Sequence, residues 1–264
     1  MSETVHFRID GPVCVITIDR HEVRNAVDRP TAQLLADAFR QFEADDDLAV
    51  AVLTGANDTF CAGADLKGVS DGRGNRVVAD MSVDGPMGPS RMEFSKPTIA
   101  AVEGFAVAGG LELALLCDLR VAADNAVFGV YCRRWGVPLI DGGTVRLPRL
   151  IGHSNAMDLI LTGRPVSGQE ALRMGIANRI VEAGRALEAA IELAAGLSAF
   201  PQRCLRSDRR SAIEQWGMDL GEALANEVDR GMTTIRSGET LAGATRFKEG
   251  AGRHGSFMEF SPPS

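Results

Sequence analysis

The feature of this sequence most open to chemistry is a carboxylate inside an apolar, glycine-rich run. In GFAVAGGLELALLCD, residues 104–118, Glu112 is the only charged residue before the closing Asp118. An ionised carboxylate is expensive to bury unless it is paired, neutralised or used. Gly109-Gly110 opens a predicted helix, so Glu112 falls on its first turn. The first amides of a helix have no internal partners and carry the positive end of its dipole. They can stabilise Glu112 itself, as a purely structural helix-end carboxylate. They can equally act as donors for an anion or a developing oxyanion beside a proton-transferring acid.

Three further places invite the same weighing. FCAGADL, residues 60–66, is a second turn of small residues, where a backbone can approach a ligand closely. Cys132 is followed by Arg133 and Arg134. Those cations would lower its pKa and make it a nucleophile, the alternative being an ordinary buried thiol. Asp141 in VPLIDGGT is either a site acid or an Asx-type turn residue ahead of Gly142-Gly143. Glu103, just before Gly104, is read as structural.

The elements that must position these residues follow from periodicity and punctuation. CVITID, with Val13 before it and Val15 and Ile18 within it, has the β-branched density of a strand. Asp28 is a suitable N-cap and Pro30 lies in the first turn, so a helix is predicted from about Asp28 to Asp45. AVAVLTG, residues 49–55, predicts a buried strand. Val69 to about Ser90 lacks a period and is expected to be a mobile loop with a short helix at most, a lid being the functional reading. KPTIAAVEG (96–104) predicts a strand, AGGLELALLC a helix and DLRVAAD (118–124) another strand. From about Val145 onward the pattern is helical. The expectation is an α/β fold: a β-rich core of stacked β-β-α units with a helical C-terminal third.

Composition narrows the classes. The chain has 264 residues, 45% hydrophobic and 24% charged, enough to bury a sizeable core. A net charge of -7 argues against nucleic-acid binding. Five cysteines without a CxxC pair and four scattered histidines suggest neither a disulfide framework nor a metal cluster. No signal peptide or apolar span of membrane length is evident. The expectation is a cytoplasmic protein without nucleic-acid or membrane partners. The lack of a Gly-x-Ser-x-Gly elbow disfavours a serine hydrolase.

Taken together, FCAGADL and AVAGGLELALLCD resemble the crotonase, or enoyl-CoA hydratase/isomerase, superfamily. VRNAV (23–27), KPTIAAVEGFAVAGG, the 128–152 region and LTGRPVSGQEALRMGIANRIV (161–181) extend the resemblance over nearly the whole chain. It implies a crotonase-like spiral of β-β-α units over residues 1–200, binding acyl-CoA. A helical oligomerisation region is implied over 201–264, with a soft boundary. It also implies a homotrimer or dimer of trimers. The backbone amides of Ala64 and Gly109 match the pair that holds the thioester oxygen. Arg24, Ala62, Asp65, Leu66 and Lys67 match CoA contacts, and Lys248 in RFKEG matches them more loosely. No cofactor is implied beyond the coenzyme A of the substrate.

In hydratases of the superfamily the position of Glu112 is a catalytic Glu, and a second Glu falls where this chain has Cys132. A thiol replaces a carboxylate poorly as a water-orienting base. Isomerases of the superfamily carry an acid at the position of Ile140, one residue before Asp141. The resemblance therefore implies an enoyl-CoA hydratase with Glu112 as main acid/base. An enoyl-CoA isomerase using one carboxylate, and an acyl-CoA-binding homologue with little catalysis, are the alternatives.

Overall fold

The structure, a computed structural model, describes residues 4–252. In chain order the elements are β1 (Val5–Asp10), β2 (Val13–Ile18), α1 (Arg29–Ala44), β3 (Val50–Gly55), α2 (Leu66–Ser70), β4 (Thr98–Val102), β5 (Phe105–Val107), α3 (Gly109–Leu116), β6 (Leu119–Ala123) and β7 (Val127–Gly129). There follow α4 (Gly143–Ile151), α5 (His153–Thr162), β8 (Val166–Ser167), α6 (Gly168–Met174), β9 (Arg179–Val181), α7 (Ala186–Ser198), α8 (Gln202–Glu214), α9 (Leu220–Arg236) and α10 (Glu239–Glu249).

Six strands form the main sheet in the order β1-β2-β3-β4-β6-β9; the β1–β2 pair is antiparallel and the rest are parallel. A second sheet holds β5, β7 and β8. The chain thus steps from one sheet to the other at β4–β5 and again at β6–β7. This is the α/β fold of repeated β-β-α steps that the sequence implied.

β2 and β3 are buried on both faces, in a nearly continuous rather than alternating pattern. One side is covered by α1, whose Leu35, Phe39 and Phe42 are fully buried. The other is covered by α7, through Ala190 and Ala194 against Val50, Val52 and Ile99. Asp28 caps α1 by accepting the Thr31 N–H at 3.1 Å, with Pro30 in the first turn.

One expectation needs correction. The chain beyond Val145 is not purely helical: β8 and β9 extend the two sheets. Both are only two or three residues long, too short to show a period. The 69–90 segment holds defined structure at its ends. It leaves α2 and finishes in a one-turn 3₁₀ helix at Pro89–Arg91, preceded by a tight turn in which Gly85 and Gly88 exchange backbone hydrogen bonds of 3.0 and 2.9 Å.

At the C-terminal end, α8 packs on α9 and α10 on α9. Arg209 of α8 is tied back to the core by an ion pair with Asp118 at 2.8 Å. Residues 253–264 of the predicted C-terminal region lie outside the described residues. Among the described residues, no helix is long and apolar enough to cross a membrane.

Candidate active site

The two glycine turns meet because neither tolerates a side chain between them. A Cβ on Gly63 would lie 2.9 Å from the Gly109 nitrogen, and one on Gly110 would lie 2.0 Å from the Cys61 carbonyl oxygen. β5 adds to the contact, since Cys61 and Val107 hydrogen-bond across it. Pairing also sets which amides stay free. Val27 donates to Gly63 O and accepts from Asp65 N, so the Ala64 N–H points away from Val27. The Ala62 and Ala108 amides are likewise spent internally, on Arg24 O and Gly129 O. Among the described residues, neither the Ala64 nor the Gly109 amide donates within the chain.

Gly109 is the first residue of α3, and its N-cap Ala108 has φ 53°, a conformation rare for a residue with a side chain. Apart from its last residue, α3 is buried along its whole length. A helix apolar on every side belongs in the middle of a protein, and here it carries Glu112 inward.

Ala64, Gly109 and Glu112 line one cavity of about 500 Å³. Its remaining walls are largely apolar and include Met87, Phe105, Tyr131, Cys132, Trp135 and Val137. Arg24, Ala62 and Leu66 line it as well, with the Arg24 guanidinium 5.9 Å from the centre of the Phe105 ring.

Glu112 is 3% exposed, and its Oε1 accepts the amides of Asp141 at 2.9 Å and Gly143 at 2.8 Å. No Lys, Arg or His among the described residues forms an ion pair with it, and no hydrogen bond reaches Oε2. Burial, opposed by the Gly143 amide and reinforced by the neighbouring charge of Asp141, raises its pKa to about 7. Such a carboxyl can take and return a proton near neutral pH. A Cβ on Gly143 would come 3.0 Å from the Glu112 Cγ, so a side chain there would press on the carboxyl group.

Cys132 also lines the cavity, but not as an activated nucleophile. Burial and then the nearness of Glu112 push its thiol up, outweighing the pull of Arg133. The two arginines are otherwise engaged. Arg133 Nε donates to Ile160 O at 2.9 Å, and Arg134 stacks on Tyr131 at 4.2 Å. Both guanidiniums are held by partners other than the thiol.

Asp141 is brought to the site, yet its Oδ1 faces the 85–90 segment. It accepts the Met87 N–H at 2.9 Å and a short hydrogen bond from Ser90 Oγ. Burial raises its pKa, against the pull of these two donors. Its own backbone amide serves Glu112.

Asp65 does not line the cavity. Its carboxylate is buried against Arg20 at 3.0 Å and accepts the Gly68 amide at 3.1 Å. Lys67 and Lys248 are exposed and off the cavity wall. Glu103 is structural as expected: it accepts the Gly184 and Ala186 amides at the start of α7.

Met87, Ser90 and Arg146 belong to the site's surroundings without having been singled out from the sequence. Arg146 donates to the carbonyls of Asp141 at 2.8 Å and Ser90 at 2.9 Å. In the sequence that region offers only the turn residues of GPMG as a signal.

Comparison with known proteins gives this α/β fold and its paired turns a family. Residues 8–254 match the enoyl-CoA hydratase/isomerase family, so the chain belongs to that family within the crotonase superfamily. Enoyl-CoA hydratase EchA19 of Mycobacterium tuberculosis is 35% identical over 246 residues, covering 90% of this chain and 91% of that protein. Carnitinyl-CoA dehydratase of Salmonella typhi is 40% identical over 196 residues, 74% of each. The crystal structure of enoyl-CoA hydratase EchA1 from Mycobacterium marinum superposes with a TM-score of 0.87 at 36% identity, covering 93% of this chain and 96% of that one.

Proposed function

We propose that the protein catalyses reversible addition of water to a 2-enoyl-CoA thioester. The observation that carries this reading is one unpaired carboxyl, Glu112, with a pKa near 7, in a cavity shared with the free amides of Ala64 and Gly109. Those amides hold the thioester oxygen. Ionised Glu112 takes a proton from water as the water oxygen bonds to Cβ. The C=C electron pair moves toward Cα and the thioester oxygen gains charge. Glu112 then returns the proton to Cα, and the 3-hydroxyacyl product leaves with the carboxylate regenerated. Donors aimed at the developing oxyanion are worth about 3–4 kcal/mol each.

CoA contacts are assigned to the backbone around Arg24, Ala62 and Leu66. No cofactor is required beyond the CoA moiety. The hydratase and dehydratase names of the relatives support water chemistry over the alternatives.

A second reading, double-bond isomerisation, is favoured by one observation. Cys132 offers no second carboxylate, and an isomerase needs only one base to move a proton between carbons of the same enolate. Crotonyl-CoA and a 3-enoyl-CoA, followed by thioester absorbance and product mass, separate the two. Gain of one water supports hydration, and a mass-neutral shift supports isomerisation. Binding of both esters without turnover supports a binding protein.

The assembly is proposed to be a trimer or a dimer of trimers. Leu220, Leu224, Val228 and Ile235 of α9 are exposed, as are Leu241 and Phe247 of α10, and copies of the chain covering them would remove that apolar surface from water. A monomer in sedimentation at micromolar concentration would refute it.

A further inference from the structure

We propose that Asp141 is a positioning residue: its carboxylate holds the Gly85–Gly88 turn while its backbone amide holds Glu112, fixing the wall over Gly109 relative to the acid/base. This rests on the reading of Glu112 as the proton-transfer group.

Three contacts carry the proposal. First, Met87 is the cover of Gly109. It is 1% exposed, and a Cβ on Gly109 would meet its Sδ at 2.8 Å. The thioether therefore packs directly on the start of α3, beside the free amide. Second, Met87 sits at a corner of the turn closed by the Gly85–Gly88 hydrogen bonds, and its own N–H donates to Asp141 Oδ1. The turn is built around this contact, because a Cβ on Gly85 would lie 2.0 Å from Ser90 Oγ and 3.2 Å from Asp141 Oδ1. Third, Arg146 closes the clamp from behind, through the carbonyls of Asp141 and Ser90. The segment bearing the cover and the loop bearing the Glu112 donors are thus joined at one residue.

Both side-chain contacts of Asp141 fall on a single oxygen, Oδ1, and both are donated to it. Asparagine presents the same acceptor in the same place. The shape of the residue, not its proton, is what the tether uses, which separates this role from that of a second general acid.

The test is Asp141→Ala against Asp141→Asn, with kcat and KM on the enoyl-CoA that the wild type turns over. A second readout is the ¹³C-methyl NMR signal of Met87 in the free protein. Asp141→Ala is expected to lose about 10²-fold in kcat with KM little changed, the scale of an ångström-level misplacement. Its Met87 signal should shift. Asp141→Asn should restore the signal and recover most of the rate, whereas losing a general acid costs about 10²–10⁴-fold.

Asparagine as inactive as alanine overturns the proposal in favour of acid catalysis. An alanine variant with lower melting temperature but unchanged kcat and Met87 signal overturns it in favour of a purely structural role. If Asp141→Ala does not fold, Ser90→Ala removes one of the two donors and should give a smaller change in the same direction; no change overturns the tether. If the wild type turns over no enoyl-CoA, the reaction reading fails separately, and the Met87 signal still decides whether Asp141 holds the turn.

Discussion

The two glycine turns each place a carboxylate behind a free amide, and the two carboxylates end up in opposite states. Asp65 follows Ala64 and meets Arg20, which also pairs with the buried Asp28, itself held by the half-exposed Arg73. Burial alone would raise its pKa, but the Gly68 amide and Arg20 together bring it below the ordinary value. Glu112 follows Gly109 and meets only amides, so burial wins and its pKa rises to about 7. Similar backbone devices therefore yield one permanently charged strut and one group that titrates near neutrality. The direct Arg20 partner of Asp65, which Glu112 lacks, contributes to the difference.

The sharpest way to break this comparison is Glu112→Gln. The amide retains an oxygen for the Asp141 and Gly143 donors, so CoA-ester affinity should persist while kcat falls about 10²–10⁴-fold. An unchanged rate would remove Glu112 from the chemistry.

Next is the pH dependence of stability, where the two carboxylates carry opposite signs. Glu112 binds its proton more tightly folded than unfolded. Its folded state therefore loses stability as pH rises from about 4.5 to about 7. At pH 8 Glu112→Gln should be more stable than wild type by up to about 3 kcal/mol in chemical denaturation. Asp65 stabilises above its unfolded pKa, and that contribution is lost only as acid takes the pH down through its lowered folded value. A wild type and a Glu112→Gln variant with parallel pH–stability curves would contradict the assignment.

Asp65→Asn should lower unfolding free energy by about 2–3 kcal/mol at neutral pH, because Arg20 keeps Asp28 but loses a buried charged partner. Its kcat per folded molecule should stay near wild type. A large rate loss would show that this turn, too, carries chemistry.

The smallest effect is expected at Cys132. Cys132→Ala should change the rate less than about tenfold, a barrier change under about 1.4 kcal/mol. With burial and Glu112 holding the thiol protonated, alkylation by iodoacetamide at pH 7 should also be slow.

Much of this was legible in the sequence. Glu112 stood out because an apolar run has no ordinary use for a carboxylate, and the small-residue turns marked a close approach of two backbones. The helix from Asp28 showed its cap, its proline and its apolar spacing. What stayed hidden depended on distance between segments. That Arg20 would meet Asp65 rather than leave it to a ligand is a contact across 45 residues with no local signal. The pairing of Asp141 with Met87 and Ser90 is equally remote, as is the diversion of Arg133 and Arg134 from the neighbouring thiol. β8 and β9 stayed hidden because two or three residues cannot display a period and owe their extended form to strands already in place.

Ala108 holds a consequence for anyone evolving this protein. A side-chain-bearing residue at φ 53° stores about 1–3 kcal/mol of backbone strain, and glycine would release it against a gain of about 0.4–1 kcal/mol in unfolded-chain entropy. Selection for heat resistance alone should therefore favour Ala108→Gly. Selection for turnover should resist it, since a looser hinge lets the Gly109 N–H wander from its aim. A library screened by melting temperature would enrich the variant that a library screened by rate discards, and the disagreement between the two screens at this one codon would measure how much order turnover demands of this backbone.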